Sequence, residues 1–459
     1  MPVGSHSDGP LQTRKNRVES ITLFGYRPAI VNWLGIRYLE RVWPIGIIWM
    51  QVTFGYMLGF PIDIAALSNA AFVLLLLPRV ALNVRVLVLV GGFALYALAM
   101  GYAAADKFEF AKSYALLFNL LLTIAITTGE IDLSNVRLER ALSYVRWAGA
   151  VVAVVIILQA VFWNGLEVSW LRSPLGPLTP LGPGRHIYVP GEIGGLYRPN
   201  GVFSEPSIAG WMMGYLAALA WLSECQTGGK SRRSCFEFAL FSIAGLMTVS
   251  LSGILSVIGV WAAVIINVLR RATIRAKWLL ATVVGTALVV GLLISWQSSA
   301  YLGDRLEHAG EPGTSIYYRI VAPVKLLRDS LPEYPLGHPV GQVEYIKHKD
   351  YMTNWVKGSS TNIDNSAFFV MYYFGAVGVL IVVGVIGYVG LLTWRGLVIA
   401  PVAVAQLMAA LSTGALWSPW IVMMLAFSII IGRWANGGFE RRIPMKTDNR
   451  VTWWGLWGK

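Results

Sequence analysis

Residues 236–269 read FEFALFSIAGLMTVSLSGILSVIGVWAAVIINVL, a nearly unbroken apolar run with basic residues at both ends: Arg232 and Arg233 before it, Arg270 and Arg271 after it. As a single helix the run would be about 51 Å long, far beyond the roughly 30 Å hydrocarbon core of a bilayer. Basic connectors stay on the inner face of a membrane. The chain must therefore cross twice between them, with a turn near Ser250-Leu251-Ser252-Gly253. That parity organises every other span.

Composition agrees with a chain that lives in lipid. Hydrophobic residues make up 56%, charged residues only 13%, and the mean hydropathy is +0.59. A soluble domain carries about 25% charged residues. The formal charge of +13 belongs to topology, because 25 of the 37 Lys and Arg fall in segments placed inside the cell. Nucleic-acid binding is excluded as its explanation. Cys225 and Cys235 flank one short inner loop, without a neighbouring His, and make neither a disulfide nor a metal site there. No signal peptide is visible; the first long apolar run starts near Trp43.

The chain is expected to be an all-α integral membrane protein with about 12 transmembrane helices and both ends inside. Residues 1–42 form an inner tail, of which 16–42 alternates apolar and basic positions as an amphipathic helix on the membrane face would. Spans follow at about 43–60, 62–78, 86–104, 110–128, 147–163 and 207–222, then the two within 236–269, then 278–296, 366–393, 397–413 and 415–432. Residues 433–459 are a second inner tail. Two large outer loops remain, 164–206 and 297–365. In the second, Ser315–Asp329 has Ile316, Ile320, Val324 and Leu327 at helical spacing, with Pro323 to kink the helix or mark its start.

No Asp, Glu, Lys, Arg or His lies near the middle of a span; Asn119, Gln159 and Gln406 are the mild exceptions. Ion-coupled transporters keep ionisable groups at mid-membrane, so a pump or flippase is the weaker reading. Chemistry collects instead at the outer surface. Arg172, Arg185, Arg198, Arg305, Arg319 and Arg328 all lie outside, against the positive-inside trend. A guanidinium fork suits phosphate, and beside a membrane the phosphate belongs to a lipid; the alternative is that individual arginines snorkel or pair with Glu307, Glu311 and Asp329. Arg198 stands out, framed by Tyr197, Pro199, Asn200 and Gly201 just before an apolar segment. No DxD pair, P-loop or dinucleotide fingerprint is present. The expected cofactor is none and the expected metal is none.

The stretch Arg198-Pro-Asn-Gly201-Val-Phe-Ser-Glu-Pro-Ser207 resembles the R-x-x-G-x-F-x-x-P lead-in to a span of bacterial O-antigen polymerases and ligases (Wzy and WaaL types). Tyr318-Arg319 before a short helix, Tyr334-Pro-Leu-Gly337-His338-Pro-Val-Gly341, and Ile363-Asp364-Asn365-Ser366 before a span with Phe374-Gly375-Ala376-Val377-Gly378 continue the likeness in order. The family's Ser-Arg pair after the seventh span is missing; Val249-Ser250-Leu251-Ser252-Gly253 has no arginine.

The resemblance implies a GT-C-like, metal-independent, inverting glycosyltransferase at the periplasmic face of the bacterial inner membrane. Its substrate would be a glycan on undecaprenyl diphosphate; its partners would be membrane lipid and a chain-length regulator and flippase of the same pathway. A polymerase is favoured over a ligase that delivers to lipid A core. Carried residue by residue, Arg198 and Arg319 would hold the leaving diphosphate, with Arg319 or Arg305 supplying the contact of the missing arginine. His338 or Glu205 would act on the acceptor hydroxyl, with Glu205 made more basic by partial desolvation. His338 as an ordinary solvated loop histidine is the plain alternative. Tyr197, Asn200, Gly337, Asp364 and Asn365 are acceptor or structural candidates, the last two also read as a helix cap.

Overall fold

Helix starts are written locally, in short polar caps. The computed structural model describes residues 20–22, 35–49, 64–77, 80–131, 133, 136–164, 198–203, 205–227, 231–271, 285, 307, 308, 310–312, 314, 316–354, 359, 360, 363, 365–412 and 419–435. In chain order these give β1 (Ser20–Thr22), α1 (Trp43–Trp49, entered through a π turn at Tyr38–Val42), α2 (Ile64–Leu76), β2 (Val80–Asn83), α3 (Val84–Met100), α4 (Lys107–Thr128), β3 (Glu130–Ile131) and α5 (Leu138–Asn164). Next come α6 (Pro206–Gln226), α7 (Arg232–Met247), α8 (Leu251–Arg271), α9 (Ala322–Glu333), α10 (Glu344–Lys347), β4 (Thr353–Asn354) and β5 (Ser359–Ser360). The last are α11 (Ser366–Trp394), α12 (Ala400–Ser412) and α13 (Pro419–Ala435). Asn83, Asp106, Ser231 and Asn365 each accept a backbone N–H of the first turn that follows, and so fix the starts of α3, α4, α7 and α11.

The long run of 236–269 is two helices. Between α7 and α8 lie Thr248, Val249 at φ 47 and Ser250, in the stretch where the length argument puts the turn. The two pack on α6, which is buried on nearly every face. A Cβ on Gly210 would come 2.6 Å from Gly253 Cα, so backbone meets backbone where α6 passes α8. Among the described residues, five helices or helix extensions are long and apolar enough to cross a membrane: residues 84–103, 107–128, 138–162, 251–270 and 366–394. Shorter apolar helices run at 400–412 and 420–435. The expected span 278–296, apart from residue 285, and most of the loop 164–206 lie outside the described residues, as do Tyr197, Arg305 and Asp364.

Two findings refine the expected layout. Within the stretch 16–42, Ser20–Thr22 is a strand, antiparallel to β2 with Thr22 opposite Ala81, and β2 pairs in turn with β3; residues 35–42 are helical, and the other positions of 16–42 lie outside the described residues. Alternating apolar and polar residues serve a strand as well as a helix face, and backbone pairing with two connectors decided between them. The span expected from 147 begins at Leu138. Arg146 can sit inside that helix, only 6% exposed, because the Glu237 carboxylate and the hydroxyls of Ser223 and Ser234 satisfy its guanidinium.

Loops that parity assigns to one side meet one another. β1, β2 and β3 join the first tail to two inner connectors, Arg433 donates to Thr127 and Gly129 carbonyls, and Gln226 donates to Ala435. At the other end Gln342 accepts from Ala105 and Asp106 N–H and donates to Asp106 O, while Ser252 donates to Ser207 O. The core has two main parts: one around α1, α5, α6, α7 and α8, the other around α4, α9 and α11. α13 joins them, with Met423 and Phe427 in the first and Val422 in the second.

Candidate active site

Arg198 is held by a turn built on a buried glutamine. Gly201, at φ +59, donates its N–H to Gln159 Oε1 at 2.8 Å, and Phe203 N–H closes the turn on Asn200 O at 3.0 Å. Asn200 Nδ2 donates to Phe203 O at 2.6 Å. Phe203 is 2% exposed and drives its ring into the α5–α6 core, burial worth about 1.5–3 kcal/mol. The result is an arginine 8% exposed whose Nε has no hydrogen-bond partner. Gln159 was legible as a polar residue in a span, but not as the clasp of this turn. Glu205, the N-cap of α6, is exposed and accepts from the Ser207 hydroxyl at 2.9 Å.

Arg319 owes its setting to a proline. Pro323 has no N–H, so the Arg319 carbonyl four residues back cannot receive the usual helical bond. The ladder widens to a π turn over Tyr317–Val321, in which Ala322 N–H reaches back to Tyr317 O. Asn365 Nδ2 takes up the Arg319 carbonyl at 3.3 Å, while Asn365 Oδ1 caps α11 through Ala367 N–H at 3.0 Å. One amide thus serves as the expected cap of α11 and as a brace for the Arg319 backbone. Arg319 Nε is buried without a partner.

His338 is placed by a break in α11. Gly375 has φ 54 and ψ −133, which opens the bond that Ala376 N–H would otherwise make to Tyr372 O. The loop between α9 and α10 inserts there: His338 N–H donates to Tyr372 O at 3.2 Å, and Ala376 N–H donates to Pro335 O at 2.9 Å. Gly337, at φ +88, lies so close that an added Cβ would stand 2.4 Å from Tyr373 O. Tyr96 Oη donates to Leu336 O at 2.5 Å and pins the same loop to α3. Asp329 accepts from Tyr351 Oη at 2.7 Å, a bond that holds its carboxyl below the usual range and ties α9 to the loop after α10.

The imidazole lies among rings: Tyr372 at 4.3 Å, Tyr334 at 4.4 Å and Tyr345 at 5.0 Å. It is 6% exposed, and its Nε2 has no partner. Burial pulls its pKa from 6.5 down to about 4. His338 is thus a buried, neutral base-form imidazole, and the solvated-loop alternative is set aside. Sequence reading missed Tyr334, Tyr345 and Tyr372, which lie within or beside the motifs but look like ordinary membrane-edge aromatics.

His338 and the Arg319 carbonyl both rest on α11, through Tyr372 and Asn365. Seven residues separate these, about 10 Å along the axis and two turns apart on one face. Arg198 belongs to the other part of the core. Among the described residues no hydrogen bond, ion pair or ring contact joins it to Arg319 or His338. What the three share is an unpartnered buried nitrogen.

The sequence model of the WcaD colanic acid polymerase family matches residues 39–434, which include the Arg198 turn, the Arg319 turn, the His338 loop and the α11 break. The chain belongs to that family. A WcaD-family chain is a repeat-unit polysaccharide polymerase of glycosyltransferase type, which agrees with the polymerase likeness of the outer-loop motifs and favours it over the ligase. No curated protein matches the chain. Within this WcaD-family polymerase, the apolar helices are those of a membrane protein.

Proposed function

We propose that this polymerase joins undecaprenyl-diphosphate-linked oligosaccharides at the periplasmic face of the inner membrane, by a metal-independent, inverting displacement on a GT-C-like scaffold of twelve spans. The observation that carries this reading is that the three ionisable side chains of the motifs each hold a buried nitrogen without a partner among the described residues, Arg198 Nε, Arg319 Nε and His338 Nε2. A buried donor or acceptor left unsatisfied costs about 1–3 kcal/mol, which supports a role for these groups toward a ligand. Two guanidinium groups suit a diphosphate, with Arg305 as a third candidate; an imidazole suits a sugar hydroxyl. Arg198 and Arg319 converge on the donor when it is bound, with His338 on the acceptor side.

In the transfer, the acceptor oxygen forms a bond to the anomeric carbon of the donor sugar. The bond from that carbon to the diphosphate oxygen breaks, and its electron pair leaves with the diphosphate, whose growing charge the arginines stabilise. Attack opposite the leaving group inverts the configuration. The acceptor proton passes to His338 Nε2. Negative charge on the bound diphosphate makes the imidazole more basic than it is in the free enzyme, so it receives the proton when transfer needs it. Glu205, exposed at the helix start, is the weaker candidate for this role.

His338→Ala is expected to lower polymer formation from purified lipid-linked repeats by about 10²–10⁴-fold, and Glu205→Gln to leave it nearly intact. The reverse result would move the base to Glu205. The pH dependence adds a second check. A pKa lowered to about 4 leaves His338 neutral throughout the ordinary range, so the acid limb of kcat/KM lies near pH 4. Between pH 6.5 and 4 the unfolded chain binds the proton that the native imidazole refuses. Stability is therefore intact above pH 6.5 and falls as pH drops toward 4. A limb at 6.5 that vanishes in His338→Ala would show a solvated imidazole and end the argument from burial.

Sidedness rests on the distribution of Lys and Arg and on the way like-sided loops meet. Ser359→Cys, in the second outer loop, is expected to react with a membrane-impermeant maleimide added outside intact inner membranes. Protection of that position until the membrane is opened would reverse the topology.

A further inference from the structure

Resting on that reading, two hydroxyls near His338, those of Tyr345 and Tyr372, have no hydrogen-bond partner among the described residues; Tyr345 is only half-buried, with Lys349 over its ring, and Tyr372 is the one closed off. Tyr372 is 1% exposed, yet its Oη has no hydrogen-bond partner. Its ring lies nearly parallel to the His338 imidazole, 4.3 Å away at 17°, and His338 Nε2 is unpartnered as well. The two rings cannot satisfy each other edge to edge in this stacked arrangement. The Tyr372 backbone is already fixed by the His338 N–H, so its position is set by the Gly375 break rather than by its hydroxyl. A phenylalanine would fill the same space at lower cost. The hydroxyl is an expense unless something outside the protein bonds to it.

We propose that Tyr372 Oη and His338 Nε2 together bind neighbouring hydroxyls of the acceptor sugar. His338 faces the hydroxyl that attacks, and Tyr372 holds the one beside it. The approach is from the Tyr334 side, because Tyr334 is 44% exposed where Tyr372 and His338 are closed off. Aromatic rings on that side also suit the apolar C–H face of a sugar. Two hydrogen-bonding points fix the rotation of the acceptor about its ring, and hence which of its hydroxyls reaches the anomeric carbon. Tyr372 is in this way a residue of linkage specificity, since a site built to hydrogen-bond a particular hydroxyl rejects sugars that lack it there.

The test is Tyr372→Phe in the full chain, assayed with the lipid-linked oligosaccharide extracted from cells that lack this polymerase. The half-saturating concentration is expected to rise about tenfold, the equivalent of one lost hydrogen bond, while the limiting rate changes less than about twofold. The thermal midpoint in detergent is expected to hold or rise, because a buried hydroxyl without a partner has been removed. A fall in the midpoint with no change in half-saturation would show that Oη bonds within the protein, and would overturn the proposal. Wild-type behaviour in both measurements would overturn it too. His338→Ala separates the two levels: an inactive His338→Ala beside a fully active Tyr372→Phe removes only the role of Tyr372, whereas an active His338→Ala removes the acceptor site itself.

Discussion

Replacing Arg198 with alanine is expected to reduce polymer formation by about 10²–10³-fold, the usual effect of removing one preorganised electrostatic contact to a leaving group. The protein itself loses little. Among the described residues Arg198 Nε makes no hydrogen bond, and the turn around it is closed by Gln159, Asn200, Gly201 and Phe203. The thermal midpoint of Arg198→Ala is therefore expected to stay within a few degrees of the parent. Arg198→Lys keeps the charge and loses the planar fork. It is expected to bind the lipid-linked donor with near-parent affinity while turning it over slowly. Donor binding by the detergent-solubilised variants, read beside glycan-ladder formation, separates the two effects. Full ladders from both variants would reduce the stretch to a turn that merely packs α6 against α5.

Gly375→Ala is expected to disrupt the site through a single added methyl group. The backbone there, φ 54 and ψ −133, is open to glycine and strained for any other residue. An added Cβ would stand 2.2 Å from Pro335 O and 2.6 Å from Gly337 N. Relief means straightening α11, which would restore the Ala376 to Tyr372 bond and expel the loop that carries His338. A destabilisation of at least about 3 kcal/mol is expected, together with loss of polymer formation. Gly384→Ala, in the same helix, is the control: a Cβ there meets nothing within 4 Å, so midpoint and activity are expected to hold. A Gly375→Ala protein with the parent's midpoint and the parent's ladders would mean that the break in α11 does not place His338.

These two positions also mark the limits of reading the chain by itself. Periodicity and charge determined the membrane class and the division of 236–269 into two helices. Each depends on local quantities: the thickness of hydrocarbon, the cost of burying charge and the length of an apolar run. Arg198, Arg319 and His338 could be singled out for the same reason, as ionisable groups at a membrane edge in stretches that break helix. The family likeness added their order.

Tertiary structure alone decided what those groups face. Residues 20–22 carry a pattern that fits strand or helix, and pairing with residues 80–83 chose the strand. Arg146 looked like a connector residue until Glu237, 91 positions away, neutralised it within a helix. Glu205 sits at a helix start, where desolvation was expected, yet its side chain is exposed, while His338 in a Gly- and Pro-rich loop is buried. The difference lies in Gly375. Its dihedral angles open one backbone hydrogen bond in α11, and a loop more than thirty residues earlier closes it. An exchange of that kind depends on two distant backbones meeting at van der Waals distance, and neither segment records it alone.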